Sequence, residues 1–293
     1  MAPPKASVLI PTRNPGPVIE RTLESVFSQR APFDFEVIIV DSSSHAIELK
    51  RLERFPVRLY CIAQTEFGQG RTRNQLATLA NGELFYFLSQ DAVPVGDQWM
   101  AALASPLSKP EVAGAYARQV APDWADPMIR FFLSETYPER PTCRSFETSR
   151  PTRLQDIFFS NVSSVVRRDV WERIPFRNVS MSEDQWWAKD VLSAGFGLAY
   201  EPAAVVTHEQ TYSLRSLILR NLISGGSLRG LVSDAPAQVL LTSTEYVWRE
   251  ARQLIRHGQW KWLPHMFAYE IARHVSFAVG ALGFARTPRA NER

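Results

Sequence analysis

The amino-acid sequence predicts an α/β protein with a mostly parallel sheet flanked by helices, and three observations support this fold class. Short runs rich in β-branched and aromatic residues alternate with amphipathic segments through the first half of the chain. The amphipathic segments are long enough to form the helical crossovers that parallel strands require. Several of the runs end in polar or charged residues, which is typical of the edge where open sheets bind ligands.

The elements of the first half follow from local patterns. Apolar runs indicate strands, near-helical spacing of apolar residues indicates helices, and Pro, Gly and Asn indicate turns. The predicted strands are residues 7–10, 35–40, 57–62 and 84–88, and the predicted helices are residues 18–29 and 71–80. Strands separated by helices of this length predict parallel βαβ units.

The second half is less regular. A run at 112–117 is predicted to be a strand near the edge of the sheet, with another strand at 160–166 and a helix at 181–195. Two short strands, at 197–202 and 204–208, complete the domain. From residue 213 the pattern is helical, so we predict one domain at residues 1–212 and a helical C-terminal extension at residues 213–293.

The composition sets further bounds. A chain of 293 residues with 45% hydrophobic content can bury a sizeable core, and a formal charge of +3 does not indicate a nucleic-acid partner. Two cysteines, Cys61 and Cys143, cannot form a disulfide framework. The N-terminus lacks the apolar core of a signal peptide, so we expect a cytoplasmic protein.

Polar side chains follow four of the predicted strands. These residues are Thr12 and Arg13, Asp41, Asp91, and His208. Because the ends of parallel strands meet at one edge of a sheet, we expect these side chains to converge on one crevice. The Asp41 carboxylate suits the paired donors of a base or ribose, although an acid followed by serines is equally typical of a turn cap.

A glycine-containing loop at 67–74 opens the second predicted helix. Gly70 would let a ligand approach the backbone, and helix N-termini favour phosphates. Arg71 and Arg73 would add charge-assisted bonds to a diphosphate. The alternative is an ordinary loop with a solvated basic face.

Asp91 is the candidate metal ligand. A diphosphate leaving group carries charge that a hard divalent cation, Mg²⁺ or Mn²⁺, can neutralise through oxygen ligands. His208 would add a nitrogen ligand, which suits Mn²⁺ better than Mg²⁺. The alternative for His208 is a plain hydrogen-bonding role at a strand end.

Glu183 and Asp184 are the candidate general base. A hydroxyl becomes a competent nucleophile when a carboxylate takes its proton as it attacks. The alternative is that the two acids interact favourably with the dipole at the start of the helix, an interaction that stabilises the helix by only about 0.3–1 kcal/mol. We also predict acceptor contacts for Asn161, Trp186 and Trp187, although tryptophans at a helix start are also common in cores.

Four segments in this order resemble glycosyltransferase family 2, the inverting enzymes with the GT-A fold. They are residues 8–14 (VLIPTRN), 38–44 (IIVDSSS), 89–92 (SQDA) and 182–185 (SEDQ). The resemblance covers roughly residues 5–210. Residues 66–74 (EFGQGRTRN) followed by 90–92 are similar to the bacterial rhamnosyltransferase branch.

The resemblance implies roles for particular positions. It implies that a nucleotide-sugar is bound by Pro11, Thr12, Arg13, Asp41, Gly70, Arg71, Arg73, Gln90 and Asp91. It implies that Asp91 holds the divalent cation and that Asp184 is the base, with Glu183 in support. Gln90 departs from the family, which commonly has an acid at this position, so metal coordination is expected to depend on Asp91.

The implied reaction is a single inverting displacement. A sugar, with rhamnose as the expected one, would move from a dTDP- or UDP-linked donor to a hydroxyl of a glycan or lipid-linked saccharide. The nucleotide-sugar half of the catalytic domain would extend to about residue 118, and residues 119–212 would form the acceptor half.

Basic residues interleave with aromatic residues in the segment from residue 245 onward. This pattern suits a peripheral contact with the inner face of the cytoplasmic membrane. The alternative is a helical pair packed on the domain or on a second copy of the chain, as in a homodimer. The longest apolar stretch, residues 275–285, falls short of the roughly 20 residues needed to span a bilayer.

Two other classes of protein were weighed against this expectation. A nucleotide-dependent oxidoreductase needs a glycine fingerprint after the first strand, and the prolines in the loop at 11–17 exclude it. The remaining alternative is a GT-A-like module that binds a nucleotide sugar or glycan without turnover. Gln90 is the only residue that favours it. The acids at 183 and 184 favour catalysis.

Overall fold

The structure is a computed structural model that describes residues 5–145, 154–209, 213–231 and 235–283. The strands are β1 Ala6–Thr12, β2 Phe35–Ser42, β3 Arg58–Ile62, β4 Leu84–Leu88, β5 Ala92–Pro94, β6 Val112–Val120, β7 Thr142–Arg144, β8 Ser163–Arg167 and β9 Gly197–His208. The helices are α1 Val18–Phe27, α2 Ala46–Leu52, α3 Gln69–Leu79, α4 Trp99–Ala104, α5 Pro127–Thr136, α6 Arg168–Arg173, α7 Glu183–Ser193, α8 Leu214–Ser227, α9 Ala235–Arg256 and α10 Leu263–Leu282.

The nine strands of the described residues join one sheet, which confirms the predicted α/β fold class. The order is β3-β2-β1-β4-β8-β6-β9-β5, with β7 also paired to β9. The β1–β2, β2–β3, β1–β4 and β6–β9 pairs are parallel, whereas β8 runs antiparallel to both of its neighbours. The strand predicted at residues 112–117 near the sheet edge is β6, which pairs with β8 on one side and β9 on the other and lies third from one end of the strand order.

Strand register places the predicted site residues side by side. Val8 on β1 is fully buried and pairs with Val37 on β2, and the same register sets Thr12 opposite Asp41. Continuous apolar runs are typical of parallel strands that are covered on both faces. The polar residues that follow these runs therefore emerge together at the carboxyl edge.

The two short strands predicted at 197–202 and 204–208 form one long strand, β9. Its pairing with β6 shifts register between Ala117 and Arg118, so the strand continues past the irregularity. The last residue of β9, His208, pairs with Ala92 at the start of β5. This pairing brings His208 beside Asp91, which directly precedes β5.

Helices cover both faces of the sheet. On one face, α3, α5, α6 and α7 pack in a cluster that includes the fully buried Trp187. On the other face, α1, α2 and α4 pack around the nearly fully buried Trp99. The sheet is thus held between two apolar layers, as in other α/β domains.

The C-terminal helices α8 and α10 pack closely against each other. A Cβ atom at Gly225 of α8 would lie 2.2 Å from the carbonyl oxygen of Phe277, and one at Gly280 of α10 would lie 2.2 Å from that of Leu222. Only glycine permits this close approach of α8 and α10. No helix within the described residues is both long enough and apolar enough to cross a bilayer.

The predicted domain boundary at 212/213 stays a prediction. Residues 210–212 lie outside the described residues, as do residues 284–293, which carry part of the predicted basic tail.

Candidate active site

A cavity of about 570 Å³ opens at the carboxyl edge of the sheet. The charged residues and the histidine that line it are Arg73, Asp91, Glu183, Asp184, His208, Glu209 and Arg220. Asp91 and Asp184, which lie far apart in the chain, therefore face one cleft. This placement is the geometry that a cation site and a general base would need to act on one substrate.

Asp41 is held at the end of β2 by neighbouring donors. Its Oδ2 accepts from Thr12 Oγ1 at 2.8 Å and from Ser44 Oγ at 2.5 Å, and its Oδ1 accepts from the Ser44 backbone N–H at 2.8 Å. The side chain is almost fully buried. These bonds support the capping interpretation, and the predicted nucleoside contact of Asp41 stays a prediction.

Gln90 links the first loop to the end of β4. Its Oε1 accepts from the Arg13 backbone N–H at 2.8 Å, and its Nε2 donates to the Arg13 carbonyl at 3.3 Å. A carboxylate could make the first of these bonds but not the second, since it has no proton to donate. The departure from an acid at this position therefore has a structural reason.

Three non-glycine residues with positive φ lie close to the site among the described residues. They are Asn14 (42°) after β1, Ser43 (62°) after β2 and Ser182 (62°) at the start of α7. Such conformations cost free energy, and they persist where surrounding contacts fix them. The loops that carry the predicted site residues are thus held in defined, strained positions.

A hydrogen-bond network orients His208 toward Asp91. Gln119 Nε2 donates to Tyr137 Oη and Ser160 Oγ, so Gln119 Oε1 is left to accept from His208 Nδ1 at 2.7 Å. The other ring nitrogen of His208, Nε2, lies 3.5 Å from Asp91 Oδ1.

Asp91 is ionised at neutral pH. Burial by itself would raise its pKa, but the hydrogen bond to His208 and the charges of His208 and Arg220 hold that pKa below its usual range. The carboxylate of Asp91 and the imidazole nitrogen of His208 form a pair of metal ligands that fits a divalent cation. Phosphate and water oxygens would complete the coordination shell of that cation. The described residues contain no cluster of three or more His, Cys, Asp or Glu side chains that would hold a cation without substrate.

Glu183 and Arg73 form a buried ion pair beside the candidate base. Arg73 Nη1 lies 3.0 Å from Glu183 Oε1, and the two side chains are only 7% and 5% exposed. The same Nη1 donates to the side-chain and backbone oxygens of Gln69. Arg73 thus balances Glu183, and the diphosphate contact predicted for it stays a prediction.

Asp184 is half-buried, and two backbone N–H groups hold its carboxylate. Asn161 donates to Oδ2 at 3.2 Å, and Gln185 donates to Oδ1 at 2.9 Å. Burial and the adjacent charge of Glu183 raise the pKa of Asp184 to about 7, against the opposing effects of Arg73 and these N–H groups. A carboxylate with this pKa is suited to accept a proton near neutral pH.

The residues predicted to contact the acceptor occupy different positions. Asn161 is buried, its Oδ1 accepts from Ser164 Oγ at 2.9 Å, and its backbone N–H holds the Asp184 carboxylate. Trp187 is fully buried and donates to the Ile174 carbonyl at 2.8 Å, so a packing role replaces its predicted acceptor contact. Trp186 instead donates to the Ser227 carbonyl of α8 at 2.8 Å, which joins the extension to α7.

Gly70 and Arg71 have local explanations. A Cβ atom at Gly70 would lie 2.1 Å from the Arg177 carbonyl oxygen, so glycine is needed for α3 to pack there. Arg71 is exposed on the outside of α3. Their predicted contacts with a nucleotide sugar stay predictions.

Sequence reasoning missed several residues that line the cavity. Gln119 and Tyr137 belong to the network around His208, whereas Arg220 and Ser224 come from α8 in the extension. Gln119 lies just beyond the predicted strand at 112–117, after the register irregularity between Ala117 and Arg118, so simple alternation along the strand does not predict its side. Arg220 carries no local signal that separates it from a surface arginine.

Comparison with known proteins agrees with this architecture. The model of glycosyl transferase family 2 matches residues 7–174. The chain is 26% identical over 230 residues to the O-antigen chain rhamnosyltransferase RfbN of Salmonella typhimurium, with 75% of this chain and 71% of that protein covered. It is 25% identical to the O-antigen chain rhamnosyltransferase WbaN of Salmonella anatum, with 76% and 71% covered.

Solved structures resemble the whole chain. The mannosyltransferase PcManGT from Pyrobaculum calidifontis, in complex with GDP-Man and Mn²⁺, matches with a TM-score of 0.65 at 18% identity, covering 98% of this chain and 89% of that one. TarS 1–349 from S. aureus, in complex with UDP-GlcNAc, matches with a TM-score of 0.53 at 15% identity, covering 96% and 91%. These likenesses establish the GT-A fold. By its family match and its relatives, the chain belongs to glycosyltransferase family 2 and is a glycosyltransferase.

Proposed function

We propose that this glycosyltransferase moves a sugar, with rhamnose favoured, from a nucleoside-diphosphate sugar to a hydroxyl of a saccharide acceptor with inversion. The observation that carries the proposal is that Asp91 and Asp184 line one cavity and that their pKa values are shifted in opposite directions. Asp91 has a lowered pKa and Asp184 has a pKa of about 7. Relatives named as O-antigen chain rhamnosyltransferases support the sugar and a polysaccharide acceptor.

Asp184 acts as the general base. It takes the proton of the acceptor hydroxyl while that oxygen attacks the anomeric carbon, and the bond to the donor phosphate breaks on the opposite face. The backbone N–H groups of Asn161 and Gln185 hold the carboxylate in place. The charge of Glu183, which is paired with Arg73, helps to raise the pKa of Asp184, and Glu183 takes no part in the proton transfer.

Asp91 and His208 would hold the divalent cation, Mg²⁺ or Mn²⁺. When bound, that cation supplies positive charge to the departing diphosphate. Gln119 fixes the tautomer of His208 so that Nε2 can serve as a ligand. The imidazole nitrogen favours Mn²⁺ over Mg²⁺.

The donor nucleoside lies against the ends of β1 and β2, where Pro11, Thr12, Arg13 and Asp41 meet. Gln90 supports this arrangement through its two bonds to the Arg13 backbone. The base is thymine or uracil in this proposal, so dTDP and UDP are the nucleotides to test first.

The acceptor is a glycan or a lipid-linked saccharide, reached by a cytoplasmic enzyme at the inner face of the membrane. Support comes from exposed apolar side chains on α9 and α10 and the turn between them, including Trp248, Trp260, Phe267 and Ile271. Basic residues such as Arg252 and Lys261 accompany them. A competing use of this surface is a homodimer, which sedimentation at low and high protein concentration would reveal.

Turnover and binding assays test the proposal together. The purified protein is incubated with dTDP-rhamnose or a UDP-sugar, a saccharide acceptor and Mn²⁺, and release of nucleoside diphosphate is measured. Acceptor-dependent release that is lost in Asp184→Asn supports the proposal. A module that only binds sugars would retain donor binding and show no turnover in either protein, and Gln90 no longer favours that alternative because its amide has a structural role.

A further inference from the structure

The extension contributes side chains to the cavity. Arg220 and Ser224 of α8 line the same cleft as Asp91 and Asp184. Residues four apart lie on one face of a helix, so this face of α8 is turned toward the site. The C-terminal extension is therefore part of the wall around the reacting groups.

α8 is fixed against the segment that carries the base. Ser227 Oγ accepts from the Met181 backbone N–H at 3.1 Å and lies 3.0 Å from Ser180 Oγ. Trp186 Nε1 donates to the Ser227 carbonyl at 2.8 Å. Because these contacts join α8 to both sides of the α7 N-terminus, Arg220 is presented from a helix that is held in place relative to Asp184.

The two arginines that line the cavity have different surroundings. Arg73 forms a buried ion pair with Glu183, at 3.0 Å. Arg220 lies instead on the wall that α8 contributes to the cleft, which Asp91 also lines. Arg220 is also exposed to solvent, so its guanidinium can reach a ligand that enters the cleft.

We propose that Arg220 binds the diphosphate of the donor and stabilises the charge that develops on the leaving group. The assignment rests on the proposed function and adds a catalytic residue to it. As the bond between the anomeric carbon and the phosphate oxygen breaks, the electron pair stays on that oxygen. A guanidinium offers paired N–H donors that match phosphate oxygens. In the segment between β4 and β5, Asp91 is the only carboxylate, since the neighbouring Gln90 is neutral and accepts from the Arg13 backbone N–H.

Isothermal titration of UDP, dTDP and GDP, and of the matching nucleoside monophosphates, tests this assignment. The proteins compared are wild type, Arg220→Ala, Arg220→Lys and the control Arg215→Ala, which changes an exposed arginine on the same helix outside the cavity lining. We expect Arg220→Ala to weaken binding of the preferred nucleoside diphosphate by about ten- to hundredfold. The monophosphate should bind equally to all four proteins, and Arg220→Lys should recover part of the loss.

The outcomes separate this assignment from the proposed function. If wild type binds none of the three diphosphates, the proposed function fails. If wild type binds one of them and Arg220→Ala binds it equally well, the proposed function stands and the role of Arg220 is overturned. Equal weakening of monophosphate and diphosphate would also overturn it, since that pattern means distortion of the nucleoside site. Melting temperatures of the variants identify misfolding.

Discussion

Arg73 and Glu183 form an ion pair that is almost fully buried, with Nη1 and Oε1 3.0 Å apart, and Glu183 directly precedes the proposed base Asp184. The pair joins α3 to the start of α7, so it holds the helix that carries Asp184 against the helix that carries Arg73. Glu183 raises the pKa of Asp184, whereas Arg73 lowers it. The pair therefore contributes both to the fold and to the proton affinity of the site.

Replacing Arg73 by Met should destabilise the protein by about 3–5 kcal/mol, because Glu183 would be left buried without a counter-charge. Urea unfolding at neutral pH measures the change. The matched control is Arg30→Met, which breaks the exposed pair with Asp97 and should cost less than about 1 kcal/mol. Equal losses in the two variants would contradict a buried, tightly coupled pair.

The pH dependence of turnover should follow Asp184. As pH falls below about 7, the carboxylate takes up a proton and can no longer accept one from the acceptor, so kcat/KM should fall about tenfold per pH unit. Glu183→Gln removes a charge that raises this pKa and should move the acid limb to lower pH. A flat profile from mildly acidic to mildly alkaline pH, or an unmoved limb in Glu183→Gln, would count against Asp184 as the base.

Asp184→Asn should lower kcat by about 10²–10⁴-fold while nucleoside-diphosphate affinity stays unchanged, since the amide keeps the shape but cannot accept the proton. Asp190→Asn is the matched control. It lies on the same helix and pairs with Arg177 at 2.6 Å, away from the cavity. A large loss of activity in both variants would indicate a structural role for the α7 acids.

Gln119→Leu should weaken Mn²⁺ binding by about ten- to hundredfold, because His208 loses the acceptor that fixes its tautomer. Electron paramagnetic resonance of free and bound Mn²⁺ in the presence of nucleoside diphosphate measures this without turnover. Gln98→Leu, at an exposed position, serves as the control. Unchanged Mn²⁺ affinity in Gln119→Leu would exclude His208 as a ligand held by this network.

The sequence predicts those site residues that lie at the ends of strands. Polar residues at or shortly after the ends of buried parallel strands, such as Asp41 and Asp91, meet at one edge because backbone pairing fixes the register of the strands. The partners of β6, which are β8 and β9, lie far away in the chain, so nothing local in the sequence indicates that this strand is paired on both sides. The positions of Trp187 and Arg220 could not be predicted for the same reason. Trp187 is buried and Arg220 lines the cavity because of the helices that pack beside them, and the local sequence does not indicate those helices.

The stability of the protein should fall as pH rises, and Glu250 should cause part of the fall. Its side chain is almost fully buried, and neither carboxyl oxygen has a hydrogen-bond partner among the described residues. Burial and the charge of Glu270 raise its pKa to about 8 from an ordinary value of 4.5, against the effect of Arg273. Between these two values the folded state keeps a proton that the unfolded state has lost, so the free energy of unfolding declines across this window and levels off above it.

Glu250→Gln should remove this contribution, because the amide stays neutral at every pH. We expect the variant to be more stable than wild type by about 1–3 kcal/mol at mildly alkaline pH, with a smaller difference at mildly acidic pH. Urea unfolding at several pH values measures the slope, and Glu245→Gln, an exposed position on the same helix, should leave it unchanged. Part of the slope should survive in Glu250→Gln, since Asp184 also has a raised pKa. A variant that is less stable than wild type at alkaline pH would mean that Glu250 is ionised and paired in the folded protein.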